Sequence, residues 1–361
     1  MAKNLIGLDI GSYGIKLVQL KGFGKKTALV KCVAKTFSTV SIQELSPIDR
    51  MNLITGDLKK IIKENKITEK RVATAVSGNS VIVRYVKFPK MTPAELDKSI
   101  QFEAEPYIPF DIKEVNISTY IIGDIVEENS QKMETVLVAA KKDILQERID
   151  LIEKSGLKAA VIDVDAFALE NVNEFNRKGT EEDSETVMLL NIGASTSNIN
   201  ILEKGVSKVV RDLFVAGNSL TNAIQRGMQL DFTTAEKVKK EKGIIISEEG
   251  KAMENEDDIQ FSMCMMPVLQ ELVGEIQRSI DYYQSPTEGE MRVEKIILSG
   301  GSALLKNIDR YLAKELNIPV EIDDPFKKIN SRGAAGNWEE MIPMFSVALG
   351  LALRYEGDIK K

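Results

Sequence analysis

Apolar and polar positions along the chain follow two periods, and the changes between them mark the predicted strands and helices. Short apolar runs beside glycines, as in residues 5–9 and 15–20, are typical of buried strands. Apolar side chains at three- and four-residue spacing, as in residues 47–66 and 267–284, predict amphipathic helices. Strands that alternate with helices in this way predict an α/β fold.

The stretch LIGLDIGSYGIKLVQL, residues 5–20, predicts two strands joined by a tight turn. Asp9 ends the first strand, where a charge is costly unless it meets a cation or hydrogen-bond donors. Gly11 and Gly14 let the turn backbone approach a ligand and aim its N–H groups at it. A carboxylate for a hydrated metal ion beside a turn suited to phosphate indicates a magnesium–nucleotide site, although a turn of this kind taken alone is more often purely structural.

A second stretch, TVMLLNIGASTSNINIL at residues 186–202, has the same build. An apolar strand leads to Asn191 and Gly193, a turn of small residues follows, and a second strand returns. This hairpin begins about half of the 361 residues after the first. Two similar hairpins half a chain apart predict two related domains that face each other across a cleft.

A third glycine turn lies in KIILSGGSALLKNIDRYL, residues 295–312. An apolar strand ends at Gly300, Gly301 and Ser302, and a helix is predicted to follow at once. The N–H groups of a helix N-terminus and the absence of side chains on the glycines would let a phosphate or a flat ring approach closely.

Residues 78–160 form an insertion with its own pattern of strand, helix, two strands and helix, which predicts a small α+β module. Thr92, Pro93 and Glu95 predict a helix N-terminus closed by a capping box. The polar residues 124–132 predict a loop between the last two strands.

The second half carries several groups with two interpretations. Pro267 is predicted to open a long helix, on which Glu275 and Arg278 form either an exposed ion pair or a clamp on ligand hydroxyls. The methionines within residues 263–266 are predicted to fill the core. The highly charged residues 231–260 predict a solvated rim.

Two acidic residues lie where the apolar strand beginning at residue 159 turns into a helix. Asp163 and Asp165 favour capping of that helix, and the alternative places Asp165 in the cleft to orient a water on a terminal phosphate. In the last helix, the small residues Ala348 and Gly350 predict close helix packing.

Composition narrows the functional classes. The net charge of −6 does not indicate the basic surface that nucleic-acid binding requires. The absence of histidine excludes Ser-His catalysis and the commonest metal ligand, so a metal would be held by oxygen atoms, which favours Mg²⁺. Two cysteines, no signal-peptide pattern and no run of 18 apolar residues predict a cytoplasmic protein.

Three glycine turns in this order, with a duplicated hairpin, resemble the actin-like ATPase superfamily of actin, DnaK-type chaperones, sugar kinases and FtsA. The place of the insertion is similar to that in FtsA and in the PilM family. FPKMTPAELDKSIQFEAEPYIPFDIKEV (88–115) and EIQRSIDYYQ (275–284) are similar to the PilM pattern. The chain ends in RYEGDIKK, which does not resemble the amphipathic membrane helix of FtsA.

The resemblance implies two duplicated RNase H-like domains that flank a nucleotide cleft, with an FtsA/PilM-type inserted α+β subdomain. It implies a cytoplasmic scaffold, peripheral to the inner membrane, that binds ATP (or ADP) and Mg²⁺ within the type IV pilus assembly platform and supports twitching motility. The implied partners are the cytoplasmic N-terminal peptide of PilN and other inner-membrane and motor components. An FtsA-like filament former and a small-molecule kinase of the superfamily stay open as alternatives.

The resemblance also assigns roles to individual residues. Asp9 is expected to hold Mg²⁺ through water, and Asp9, Asp165 and Asn191 are the catalytic candidates. The superfamily usually has Asp at the position of Asn191 and Glu or Gln at that of Asp165, so slow hydrolysis is expected at best. The candidate nucleotide-binding residues are Gly11, Ser12, Tyr13, Lys16, Gly193, Ala194, Ser195, Thr196, Gly217, Glu275 and Arg278 (ribose or adenine), and Gly300, Gly301 and Ser302 (adenosine).

The implied subdomains follow the chain. They are IA (1–77), the inserted IC (78–160), the second part of IA (161–185), IIA (186–229), IIB (230–266), the second part of IIA with the adenosine turn (267–335), and the C-terminal helix of IA (336–361).

Overall fold

The structure, a computed structural model, describes residues 5–37, 42, 45–127, 130–245, 256–285, 291–336 and 338–355. Contacts divide the chain into a larger unit, Met1–Ala75 with Ile152–Lys361, and a smaller unit, Val76–Leu151. No helix within the described ranges is long and apolar enough to cross a membrane.

The strands and helices alternate along the described ranges as the sequence pattern predicts. The strands are β1 (Ile6–Ile10), β2 (Gly14–Lys21), β3 (Ala28–Thr36), β4 (Arg71–Val76), β5 (Val81–Pro89), β6 (Val115–Glu127), β7 (Ser130–Lys141), β8 (Lys158–Val164), β9 (Thr186–Ile192), β10 (Ser197–Glu203), β11 (Val206–Leu213), β12 (Lys295–Ser299) and β13 (Val320–Ile322). The helices are α1 (Pro47–Glu64), α2 (Pro93–Ala104), α3 (Lys142–Lys154), α4 (Asp165–Arg177), α5 (Gly217–Met228), α6 (Phe232–Lys242), α7 (Glu256–Gln284), α8 (Ile308–Leu316) and α9 (Ser346–Ala352).

Two five-stranded sheets of the same design make up the larger unit. Their strand orders are β3-β2-β1-β4-β8 and β11-β10-β9-β12-β13. In each sheet the central strand, β1 or β9, pairs antiparallel with its hairpin partner and parallel with the strand on its other side. The duplicated α/β architecture predicted from the two hairpins is therefore confirmed.

Helices α4 and α9 lie between the two sheets. One buried cluster joins Ala73 of the first sheet and Leu189 of the second to Leu169 of α4 and Leu351 of α9. The opposite face of the second sheet packs on α7 and α8, where Ile276 and Leu312 belong to the largest buried cluster. Side chains alternate between the faces of a strand, so the central strand β9 is buried on both faces and its residues are mostly apolar.

Small residues allow backbone contact between these elements. A Cβ atom on Gly7 of β1 would lie 1.9 Å from the carbonyl oxygen of Ala348, and one on Gly350 would lie 1.8 Å from that of Ala168. Only glycine fits at either position, because real atoms do not approach so closely. The predicted close packing of the last helix is confirmed.

The single tryptophan of the chain lies in a separate buried cluster beside the first sheet. The ring of Trp338 packs 5.1 Å from that of Phe326, which in turn packs 6.2 Å from Phe345. The cluster also contains Cys32 of β3 and Leu349 of α9, so it covers the edge of the first sheet.

The smaller unit contains a three-stranded antiparallel sheet in the order β5-β7-β6, with α2 packed on one face. The predicted capping box of α2 is present: Thr92 N donates to Glu95 Oε2 at 2.7 Å, and Glu95 N donates to Thr92 Oγ1 at 3.3 Å. The predicted polar loop at 124–132 is wrong, because β6 continues to Glu127 and β7 begins at Ser130.

Cross-strand ion pairs explain why those polar residues form strands. Glu127 accepts from Lys132 at 2.7 Å and from Lys87 at 2.5 Å. Opposite charges on neighbouring strands stabilise their pairing. Polar composition therefore reflects an exposed ladder rather than a loop.

Helix α7 corrects two predictions. It begins at Glu256, about three turns before Pro267, and continues through that proline. The residues before the proline hold the helix to the core, because Met265 is fully buried and Phe261 packs against the same cluster. Met263 is 65% exposed, so its assignment to the core is wrong.

The helix predicted to follow the third glycine turn begins later than expected. Residues Gly301–Leu304 form one 3₁₀ turn, and α8 starts only at Ile308. Asn307 precedes it with a left-handed φ of 67°, which an α-helix cannot include.

Gly350→Ala is expected to destabilise the larger unit by about 2–3 kcal/mol or more, because the new methyl group must displace the α4 backbone. Gly56→Ala, in the interior of α1 with no atom within 4 Å of the added Cβ, is the matched control and should stabilise by about 0.5–1 kcal/mol. Urea unfolding measures both. Equal midpoints for the two variants would contradict the contact.

Candidate functional site

The first glycine turn carries an ion pair between its two strands. Asp9 and Lys16 are opposite each other on β1 and β2, and Lys16 Nζ lies 2.9 Å from Asp9 Oδ2. Gly11 N donates to Gly14 O at 3.1 Å and closes the turn. The carboxylate therefore meets the cation that its place at a strand end requires, and both charged groups remain 14–15% exposed.

The second and third turns meet at one carbonyl oxygen. Gly193 O accepts from Gly217 N at 2.9 Å and from Ser302 Oγ at 3.3 Å. Gly193 N itself donates to Thr196 O at 3.0 Å. The structure thus brings together Gly193, Thr196, Gly217 and Ser302, which were predicted separately.

The remaining small residues of the second turn contact the start of α5. Asn218 N donates to Ala194 O at 2.7 Å, and Asn218 Nδ2 donates to Ser195 Oγ at 3.2 Å. The first bond satisfies a backbone N–H group that has no partner inside the helix, and the second holds the Asn218 side chain on the turn. Ser12 lies partly exposed in the first turn.

Close packing explains one of the two adjacent glycines in the third turn. A Cβ on Gly300 would lie 2.5 Å from Ile192 O and 2.7 Å from Asn191 Oδ1, and the residue has a left-handed φ of 89°. A Cβ on Gly301 would have Met344 Cε, at 3.9 Å, as its nearest neighbour. Gly301 is therefore the position in this turn with room beside it.

Helix α6 connects the first turn to the second half of the larger unit. Lys240 Nζ donates to the Tyr13 hydroxyl and lies 4.6 Å from the centre of the Tyr13 ring. Burial acts to lower the pKa of Lys240, but hydrogen bonds to Tyr13 and Glu236 outweigh it and raise the pKa. Tyr13 is therefore placed beside a cation from the opposite half.

The same helix reaches Gly217, the first residue of α5 and a neighbour of the second turn, through a buried ion pair. Lys239 Nζ lies 2.6 Å from Glu236 Oε2 and donates to Gly217 O at 2.9 Å. The predicted solvated rim holds for most charged residues of this helix, which are exposed, but is wrong for the buried Lys239; residues 246–255 lie outside the described ranges. The i, i+3 spacing of Glu236 and Lys239 on one helix face was the available signal.

A row of polar side chains crosses the second sheet beside these turns. Asp212, Asn198 and Asn191 are directly opposite one another on β11, β10 and β9, and Ser299 of β12 pairs with Asn191. Asn198 Nδ2 donates to Asp212 Oδ1 at 2.7 Å, and Asn191 Nδ2 donates to Asn198 Oδ1 at 2.8 Å. Of this row, Asn191 alone is predicted from the sequence, because cross-strand partners depend on a register that only the fold supplies.

Asp165 is the first residue of α4, the helix that faces this row. Asn200 Nδ2 on β10 donates to Ala166 O at 3.2 Å, which holds the start of α4 against the second sheet. The capping role considered for Asp163 is wrong: Val164 is the N-cap residue, and Asp163 Oδ2 instead accepts from Arg354 Nε at 2.7 Å.

The structure does not bring Glu275 and Arg278 to the turns. Arg211 precedes Asp212 on β11. Successive residues of a strand point to opposite faces of the sheet, so Arg211 lies on the face opposite to the polar row. Arg211 Nη2 lies 2.7 Å from Glu275 Oε2, while Arg278 pairs with the other oxygen of Glu275. The pair therefore lies on the face of the sheet opposite to Asn191, as part of an ion-pair network.

Glu170 of α4 is an ionisable group that the sequence analysis missed. Burial raises its pKa from 4.5 to about 7, although a hydrogen bond with Asn200 opposes the shift. The carboxyl lies between the two sheets, and only the tertiary packing shows this.

A family model described as "Type IV pilus assembly protein PilM" matches residues 7–356. The chain belongs to the PilM family. A solved chain of the PilM-PilN type IV pilus biogenesis complex is 26% identical, with a TM-score of 0.80 over 98% of both chains. The type IV pilus role and the actin-like ATPase fold predicted from the sequence are thereby confirmed.

More distant matches share the fold. The ethanolamine utilization protein EutJ of Carboxydothermus hydrogenoformans is 14% identical with a TM-score of 0.55, over 97% of this chain and 89% of that one. MreB5 of Spiroplasma citri bound to ADP is 14% identical with a TM-score of 0.52, over 96% and 94%.

Two curated cell division proteins FtsA also match this PilM-family chain. The FtsA of Neisseria meningitidis is 21% identical over 83% of this chain and 77% of that protein. The FtsA of Buchnera aphidicola is 29% identical over 44% of this chain, and the match spans only 42% of that protein.

Stability of this PilM-family chain is expected to fall as the pH rises from about 4.5 to about 7. The folded chain holds the Glu170 proton more tightly than the unfolded chain does. The stability that comes from this tighter proton binding is present below pH 4.5 and is lost by pH 7. Glu170→Gln removes the titration and should raise the free energy of unfolding at pH 8 by about 1–3 kcal/mol. Urea unfolding at pH 5 and 8 measures this.

Glu271→Gln, on the exposed surface of α7 and away from Glu170, is the control and should leave the pH dependence unchanged. The assignment of this pH dependence to Glu170 fails if the stability of Glu170→Gln falls between pH 5 and 7 as steeply as that of the wild type.

Proposed function

We propose that this PilM-family chain binds Mg-ATP at the three glycine turns and uses the bound nucleotide to control a contact in type IV pilus assembly. The convergence of the second and third turns at Gly193 O is the observation that carries the proposal, and α6 links the first turn, which holds the Asp9–Lys16 pair, to the same half through Lys240 and Tyr13. MreB5 of Spiroplasma citri, which shares the fold, is a structure bound to ADP.

The residues present fit a nucleotide. Lys16 would bind a phosphate oxygen, the backbone of the turns would approach the phosphates, and the open space at Gly301 would accept part of the adenosine. Binding would exchange partners within the Asp9–Lys16 pair, because the lysine gains an anionic phosphate and the carboxylate gains a cation. Lys240 borders the same turn from the other half, where it donates to the hydroxyl of Tyr13.

The fit to Mg²⁺ is conditional on the nucleotide. No group of three or more His, Cys, Asp or Glu side chains suited to a metal occurs in the described part of the chain. Mg²⁺ keeps most of its waters and binds through one or two carboxylates plus substrate phosphates. Asp9 supplies one carboxylate, so Mg²⁺ would enter with ATP, where it would neutralise phosphate charge.

Hydrolysis would be slow at best. Position 191 carries an amide, which can orient water but cannot take its proton. Asp165, at the start of α4, would have to act as the base with a short side chain. The chain would then hold intact ATP for long periods, which suits a scaffold better than a motor.

The proposed partner is the cytoplasmic N-terminal tail of a PilN-type membrane protein. The similar solved chain belongs to a PilM-PilN complex, and the match covers 98% of both chains. Recruitment by that tail would place this chain in the cytoplasm beside the inner membrane. The subdomain boundaries given by the resemblance are part of this proposal.

Asp9→Asn is expected to weaken Mg-ATP binding by about tenfold or more, because an amide does not attract the cation, while binding of ATP in EDTA changes less. Calorimetry with and without Mg²⁺ measures both affinities.

Hydrolysis is tested on the wild type by identifying the nucleotide retained after incubation with Mg-ATP and desalting. Intact ATP supports a scaffold, and ADP would show that hydrolysis survives with Asn191.

Asp97→Asn, on the exposed surface of α2, is the matched control and should bind like the wild type. Wild-type affinity in Asp9→Asn would remove Asp9 from the site.

A synthetic peptide with the cytoplasmic N-terminal sequence of the cognate PilN is expected to bind one-to-one, with an affinity that changes by about fivefold or more between Mg-ATP and nucleotide-free protein. Calorimetry measures it, and a scrambled peptide is the control. Equal affinities would reject nucleotide control, whereas absence of binding in both states would reject the partner.

A further inference from the structure

The polar row across β11, β10, β9 and β12 has a defined order of hydrogen-bond donors and acceptors. Its members are directly opposite one another in the sheet register and therefore share one face. Asn198 is 2% exposed and Asn191 is 9% exposed, so the bonds between their amides are shielded from water.

The carboxylate at one end fixes the orientation of both amides. A carboxylate can only accept, so Asn198 must turn its Nδ2 toward Asp212. Its Oδ1 then faces Asn191 and requires a donor, which Asn191 Nδ2 supplies at 2.8 Å. The orientation of Asn191 is thereby determined by a residue two strands away.

The remaining atom of that amide faces the third glycine turn. Asn191 Oδ1 lies 3.4 Å from Ser299 Oγ, and a Cβ on Gly300 would come within 2.7 Å of it. Position 191 thus presents a carbonyl oxygen, a hydrogen-bond acceptor, beside the turns.

We infer that Asp212, acting through Asn198, is a positioning residue that holds Asn191 with its carbonyl oxygen toward the nucleotide site. The inference deepens the proposed function and rests on it for the nature of the ligand. An acceptor at this position suits a water molecule or the hydrated Mg²⁺ of Mg-ATP and does not suit a phosphate oxygen. The negative charge missing from position 191 stands at Asp212 instead.

The order of donors and acceptors in the row predicts that a carboxylate at position 191 destabilises the fold unless Asp212 is changed as well. Asn191→Asp would set two acceptors against each other at Asn198 Oδ1. If Asn198 turned over to compensate, its oxygen would face the Asp212 carboxylate. Asn191→Asp combined with Asp212→Asn reverses the two bonds made by Asn198, leaves the Ser299 hydroxyl as a donor to position 191, and gives each acceptor a donor again.

A double-mutant cycle in urea tests the row without any nucleotide. Asn191→Asp should shift the unfolding equilibrium toward the unfolded chain by about tenfold or more, and the double variant should recover to within about threefold of the wild type. Asn218→Asp adds a carboxylate beside Ser195 but outside the row, so Asp212→Asn should not rescue it. Absence of rescue for Asn191→Asp, or equal rescue of both variants, would overturn the inference.

Nucleotide binding by Asp212→Asn gives the functional readout. The amide at position 212 can donate or accept, so the orientation of Asn191 is no longer fixed, and Mg-ATP affinity should fall several-fold while affinity for ATP in EDTA stays near wild type. Equal loss in both conditions would show a merely structural role for Asp212. If the wild type binds no Mg-ATP, the proposed function fails, and the urea cycle still tests whether Asp212 and Asn191 are coupled. If the wild type binds Mg-ATP and the cycle shows no coupling, the positioning role of Asp212 alone is rejected.

Discussion

Backbone contact between α4 and α9 sets the geometry of the larger unit. Gly350 has no side chain, so the two helices touch through main-chain atoms, and Gly7 lets β1 approach α9 in the same way. The two sheets pack on opposite sides of this helix pair. The ends of β1 and β9, which carry Asp9 and Asn191, owe their positions to that packing.

The charged groups around the turns are arranged in pairs. Asp9 meets Lys16, and Glu236 meets both Lys239 and Lys240. A buried charge is tolerated only with a partner of opposite sign, so each group that could meet a ligand already has a protein partner. In the proposed function, a nucleotide at the first turn would therefore exchange partners with the Asp9–Lys16 pair.

Local patterns were sufficient to predict the features that depend on nearby residues. The two hairpins, the capping box at Thr92 and the small face of α9 all follow from neighbours in the sequence. Asp212, Lys240 and Glu170 could not be predicted, because their roles depend on contacts across strands or between the two halves. The polar strand ends near Glu127 and the helix turns before Pro267 were missed for a related reason: tertiary pairing outweighed local preference.

The place of Trp338 gives the protein a natural optical label. This indole is the only one in the sequence, and it is buried against Phe326 in the larger unit. Its fluorescence therefore reports on the packing of that unit, whereas the smaller unit, Val76–Leu151, contains no tryptophan. Circular dichroism, by contrast, sums the backbone of both units, so the difference between the two optical signals during denaturation separates the melting of one unit from that of the other without an engineered probe.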